Sequence, residues 1–227
     1  MLSFVFLTVT MHPLVKVIWR HFFKHCPAGT EAVVLSKNLV LPKWGVPTRR
    51  AKFVHPDYNL RFTREMVDLM NAGAMASQPN STVLFVSDTS VPLKSCATIT
   101  SNFDTQIVVA LQNRLGCIKG SQWMAMPRPV WERAYAGIGN QTRQSNLCSF
   151  ILYGAPDETL VQTQLYALPE RINVNTHAIF WNTHGLAGGH PETLTSRHFE
   201  QALRFNHSLA RKFDPTKALY NFDWLKR

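Results

Sequence analysis

Asp157 and Glu158 stand side by side after Pro156, at the head of the amphipathic stretch DETLVQTQLYAL. A carboxylate in the first turn of a helix caps free N–H groups and suits the positive end of the helix dipole. A carboxylate that faces a cleft can take a proton from a hydroxyl. Local chemistry leaves both roles open, and one residue of the pair can cap while the other acts as base. Two other stretches carry chemistry. FVSDTSVPL, at 85–93, ends an apolar run in short polar residues around Asp88, which fits a ligand edge or an Asx-type turn. SLARKFDP, at 208–215, sets Arg211 and Lys212 beside Phe213. Two such cations can hold a diphosphate, and a solvated basic turn is the alternative.

Carboxylates are scarce. The 227 residues include 14 Asp and Glu against 24 Lys and Arg, a formal charge of +10. That balance points to an anionic partner: nucleic acid, a membrane surface or a phosphorylated small molecule. The basic residues are scattered, with 49–52 and 210–212 the densest groups, which favours a focused anion pocket over a nucleic-acid arm. No aromatic-basic RNA motif or recognition-helix signature is present. No Asp-x-Asp pair is available for a divalent ion, and there is no Gly-rich phosphate loop, HExxH pattern or Gly-x-Ser-x-Gly elbow. Histidines such as His177 and His207 read as core or surface residues. Cys26, Cys96, Cys117 and Cys148 lack zinc-ligand spacing and allow three disulfide pairings or none. Three N-glycosylation triplets begin at Asn80, Asn140 and Asn206, and they matter only in a secretory lumen.

The elements that would position these residues alternate. SFVFLTV, EAVVLS, STVLFVSD and HAIFWN are strand-like, and a short strand is expected near AKFVH at 51–55. PLVKVIWRHFFKH, RFTREMVDLMNAGAM, the stretch from Pro127, PDETLVQTQLYAL and TSRHFEQALRFN have helical spacing, with Thr63 and then Thr195 or Ser196 as caps. FDTQIVVALQ fits either state. A short helix or turn follows PLKS. The alternation predicts an α/β fold in one domain over 1–227: a mixed, mostly parallel sheet with helices on both faces. The apolar N-terminus lacks the flanks of a signal peptide and is shorter than the ~20 residues of a bilayer span, so no membrane span is expected in this chain. In such sheets ligands bind beyond the carboxyl ends of the strands, which would gather 8–10, 87–92 and the Asp157-Glu158 turn into one cleft.

The order of these motifs is more specific than any one of them. FVFLTV, HPLVKVIWRHFF, TREMVDLMNAG, FVSDTSVPL, KGSQWMAMPRPVW, PDETLVQTQL, GHPETL and LARKFDP follow one another over about residues 4–215. The series resembles the core-2/I-branching β-1,6-N-acetylglucosaminyltransferase family, with its plant-type and xylosyltransferase relatives. KGSQW is similar to the plant-type form almost letter for letter, and Ser90 stands where Cys is common. The resemblance implies a GT-A-type fold and an inverting transfer from a UDP-sugar to a glycan or protein hydroxyl, with no divalent metal. The sugar is GlcNAc by first choice, xylose or glucuronic acid otherwise. It implies that Glu158 is the base, with Asp157 on the acceptor side or capping. Lys212 is implied as the diphosphate cation, with Arg211 beside it and Arg197 or His190 as the second basic residue. Leu7, Thr8, Val9, Ser36 and Asp88 would lie against the nucleotide, Ser36 where animal members carry Asp. Gly120, Ser121, Gln122 and Trp123 would line the sugar and acceptor side, the indole offering a face for stacking. The segment between SVPL and KGSQW is short, and no anchor or stem is seen. The family works in the Golgi lumen; a soluble or cytoplasmic microbial form is the alternative. Two other readings are an inactive nucleotide- or sugar-binding relative and a basic nucleic-acid-binding protein.

Overall fold

The computed structural model describes residues 1–8, 11–36, 48–50, 64–114, 117–138, 158–181 and 191–216. Its organising element is β1 (Leu2–Thr8), buried along nearly its whole length. Apolar side chains on both sides of a strand demand cover on both faces, the mark of a central parallel strand. β1 pairs in parallel with β2 (Glu31–Ser36) on one side and with β4 (Thr82–Ser87) on the other. β3 (Thr48–Arg50) extends the sheet beyond β2, and β8 (Ala125–Pro127) closes the other edge antiparallel to β4, giving the order β3-β2-β1-β4-β8. A second sheet joins β5 (Val91–Pro92), β10 (Leu209–Arg211) and β9 (His177–Ile179), and β6 (Leu111–Arg114) forms a hairpin with β7 (Cys117–Gly120).

The period-2 alternation of each strand feeds two separate cores. Phe4 and Phe6 of β1 and Val86 of β4 point to one face, against α1 (Pro13–Lys24), α3 (Cys96–Phe103) and α6 (Ser196–Arg204). Val5, Leu35 and Phe85 point to the other, against α2 (Arg64–Ala76), α4 (Arg128–Gly137) and α5 (Leu160–Tyr166). The mixed, mostly parallel sheet with helices on both faces is therefore as expected. No helix among the described residues is long and apolar enough to cross a membrane. The expected strand at 51–55 and the cap Thr63 lie outside the described residues. The ambiguous stretch forms no helix: Val108 bridges Ala125 and Ile172, and a strand begins at Leu111.

α5 begins later than the sequence implies. Its N-cap is Thr159, whose carbonyl accepts from Thr163 N at 3.0 Å and from Thr163 Oγ1 at 2.7 Å. Glu158 thus precedes the helix, and its first turn holds no acidic residue. The cysteines also find an answer: Cys26, just after α1, is bonded to Cys96, the first residue of α3, with a sequence separation of 70. Closing a loop of that length removes enough unfolded-state entropy for about 4 kcal/mol of stability. Urea unfolding with and without a thiol reductant should show a loss of that order; coincident curves would mean that the bond contributes nothing.

Candidate functional site

Chain order creates a crevice before any side chain is considered. The chain runs from β1 outward through β2 to β3, then returns to add β4 on the other flank of β1. The order reverses between β1 and β4, and the carboxyl ends beside such a switch point are where open α/β sheets bind ligands. The register aligns Thr8 with Ser36 and Leu7 with Ser87 at that edge. Thr8 is buried, and its hydroxyl donates to Leu35 O at 3.1 Å. Leu7 packs on the core of the second face. Val9 lies outside the described residues, and only the backbone of Ser36 is described.

The turn after β4 is self-tied. Ser90 N donates to Ser87 O at 3.1 Å, Ser87 N donates to Ser90 Oγ at 3.2 Å, and the two hydroxyls lie 2.8 Å apart. Thr89 O accepts from Phe213 N at 2.9 Å, which docks the segment after β10 onto this turn. The serines therefore serve the turn, and Asp88 is the residue of the motif whose charge reaches beyond it. That charge is felt at Arg211: burial draws the guanidinium down to about 10, while the fields of Asp88 and Glu158 favour its charged form. Arg211 lies over the Trp123 ring, with Cζ 4.4 Å from the centroid, a cation–π arrangement. Glu158 in turn accepts an ion pair from Lys119 Nζ at 3.1 Å. Two contacts, Arg211 over Trp123 and Lys119 with Glu158, and the fields of Glu158 and of Asp88 in the turn after β4, which both act on Arg211, thus define a cluster of two carboxylates, two cations and an indole.

Several expected residues take other places. Trp123 is buried, and its ring supports Arg211 rather than offering an open face to a sugar. Lys212 is exposed, and its carbonyl accepts from Leu194 N at 2.9 Å; Arg211 is the cation inside the cluster. Arg197 is exposed in the first turn of α6, with no hydrogen bond or ion pair to the cluster among the described residues. Asp157 and His190 lie outside the described residues. Ser121 Oγ accepts from Trp123 N at 3.1 Å, and Ser121 O accepts from Gln162 Nε2 at 3.1 Å, so this residue shapes the turn and ties it to α5; Gln122 is half-buried between them. Lys119 and His177 were not singled out by type or spacing. Lys119 opens the KGSQW stretch, and that position is the one signal that points to it.

Gly120 acts by what it lacks. A Cβ there would collide with Ala110 O and would lie 2.7 Å from Leu111 Cδ2 and 2.9 Å from Gln162 Cγ. Its absence lets β7 press onto α5, and that closeness brings Lys119 to Glu158. Gly120→Ala should cost about 1–3 kcal/mol through overpacking against backbone. It should also part Lys119 from Glu158. Thermal unfolding of the variant tests the first claim; a melting temperature equal to that of the parent would contradict it.

Behind the cluster, His177 is fully buried on β9. Thr176 Oγ1 donates to Trp123 O at 2.7 Å and lies 2.9 Å from His177 Nδ1. Burial first, then Arg211 and His207, push the His177 imidazole well below its usual range, so it is neutral near pH 7. Among the described residues no group of three or more His, Cys, Asp or Glu is placed to hold a metal ion. No family model matches the chain, and no curated protein matches it.

Proposed function

We propose that this chain is an inverting glycosyltransferase that needs no divalent metal and moves a sugar from a UDP-sugar to a hydroxyl of a glycan or protein. GlcNAc is the first choice of sugar, with xylose and glucuronic acid as the other candidates. The observation that carries the reading is Arg211 lying over Trp123 within the field of two carboxylates, Asp88 and Glu158, with Asp88 in the turn that follows β4 at the β1–β4 switch point. These residues come from separate motifs in the series that resembles the family, and nothing local to any one motif requires them to meet.

The chemistry follows from their charges. The acceptor oxygen attacks the anomeric carbon while the bond from that carbon to the diphosphate oxygen breaks. The acceptor proton passes to the Glu158 carboxylate, whose other oxygen can keep Lys119. Negative charge grows on the departing diphosphate, and Arg211, with Lys212 next to it in the chain, supplies fixed positive charge for it. Arg211 is already desolvated and held on an indole, so little reorganisation is needed as that charge appears. The Cys26–Cys96 bond supports a working place in an oxidising lumen, where such bonds persist, and the Golgi is the proposed one.

Calorimetric titration with UDP, first in EDTA and then in excess Mn²⁺, tests the reading. A dissociation constant of about 1–100 μM in both conditions, roughly −5 to −8 kcal/mol, is expected. Binding only with Mn²⁺ would overturn metal independence. No binding in either condition would remove the donor site from the proposal altogether. Binding of UDP without transfer from any UDP-sugar would favour the inactive nucleotide-binding relative.

A further inference from the structure

Two buried polar atoms behind the cluster have no hydrogen-bond partner among the described residues: His177 Nε2 and Arg211 Nε. They are complementary. The Thr176 hydroxyl has one proton and spends it on the Trp123 carbonyl, which can only accept. Thr176 Oγ1 must then accept from His177 Nδ1, 2.9 Å away, so the imidazole carries its proton on Nδ1. Nε2 is left as a lone-pair acceptor. Arg211 Nε–H is a donor. A buried donor or acceptor left alone costs roughly 1–3 kcal/mol, so two orphans of opposite kind in one place call for a link.

The strands put them in one place. His177 pairs with Leu209, and Ile179 pairs with Arg211, in parallel register. With a period of two, the His177 and Arg211 side chains leave the same face of this sheet. Both meet the same indole: Arg211 lies over the Trp123 ring, and the His177 ring centroid is 5.7 Å from that of Trp123. The imidazole also feels the charge of Arg211 directly.

We propose that His177 is a positioning residue for Arg211: through one bridging water its Nε2 accepts from Arg211 Nε–H, and this link holds the guanidinium over Trp123 at the edge of the cleft. Neutral histidine suits the task because a second cation here would repel the first. This inference rests on the reading of Arg211 as a contact for the donor's diphosphate, and its test has one arm that does not.

In that arm, NMR follows the solvent exchange of Arg211 Nε–H and the tautomer of His177 in the free protein. His177→Phe keeps the ring's bulk and removes the acceptor; His177→Gln restores an acceptor near the Nε2 position. Exchange should quicken about tenfold in the Phe variant and return toward the parent rate in the Gln variant, as the loss of a hydrogen bond to a charged group requires. Should the Phe variant fail to fold, His177→Asn, which keeps the Nδ1-side contact and withdraws the far acceptor, takes its place. Unchanged exchange in the folded variant, or an Nε2–H tautomer in the parent, overturns the proposal. In the second arm, the affinity for UDP should fall about tenfold in the Phe variant, recover in the Gln variant, and show no further loss when Arg211→Met is already present. An equal loss in that background would make His177 a packing residue only. If the parent protein does not bind UDP, the functional reading fails and the exchange arm alone decides the role of His177.

Discussion

Glu158→Gln should abolish most turnover and leave donor binding intact. The amide matches the carboxylate in size but cannot take the acceptor's proton, a contribution of about 10²–10⁴ in rate. Binding should change far less, because Glu158 is a part-exposed residue whose ion pair with Lys119 is solvent-screened, and such pairs hold little free energy. The contact of Arg211 with Trp123 does not run through Glu158, and the field of Asp88 still favours the charged guanidinium, so the cation should stay on the ring. The measurement is UDP release from a panel of UDP-sugars with and without glycan acceptors, beside calorimetry of UDP on the same preparations. A loss of turnover with an unchanged UDP constant separates proton transfer from binding. A variant that turns over at the parent rate would remove Glu158 from the chemistry, and a variant that loses both would make it a donor contact.

Trp19→Ala should be the most damaging single change to the fold. Trp19 is fully buried on α1, and its ring meets Phe6 at 4.9 Å, Phe22 at 5.1 Å and Phe4 at 5.6 Å, each edge to face. Emptying that site costs about 3–5 kcal/mol in transfer and cavity terms. The indole Nε1–H also donates to Ser90 O at 2.9 Å, so a buried carbonyl loses its partner as well. Against a total of about 5–15 kcal/mol for a domain, the variant should be close to unfolded at 37 °C. Trp19→Phe isolates the second effect: most of the volume stays, and about 1–3 kcal/mol is lost with the hydrogen bond. Ser90 closes the turn that carries Asp88, so the Phe variant should also bind UDP more weakly. Urea midpoints for both variants test this, and a change below about 1 kcal/mol for the alanine would contradict the packing argument.

What the sequence by itself determined was local. SFVFLTV and STVLFVS are apolar without alternation, and only a strand covered on both faces accommodates that; both became central parallel strands. PLVKVIWRHFFK has its large apolar residues at helical spacing with Pro13 at the start, and it forms α1 from that residue. Thr195 caps the helix that follows it, as its type and place suggest. The motifs also supplied candidate site residues, because strand ends and short polar runs are legible one at a time.

Which residues meet there was decided by the tertiary structure. Residue type does not distinguish Arg211 from Lys212, yet Arg211 lies over Trp123 within the field of Asp88 and Glu158 while Lys212 is exposed, since adjacent residues near a strand end need not share a face. Lys119 reaches Glu158 because Gly120 lets a hairpin press on a helix, and no pattern along the chain records that approach. Cys26 pairs with Cys96 because α1 and α3 pack on the same face of the sheet, which four cysteines in a row of letters do not specify. His177 reads as either a core or a surface histidine, and packing makes it a core one; its tautomer and its free acceptor exist only once Thr176, Trp123 and Arg211 surround it. Periodicity and capping act over a few residues and so are written locally. Ion pairs, ring contacts and buried hydrogen bonds join segments far apart in the chain, and their partners are set by how the helices and the two sheets pack.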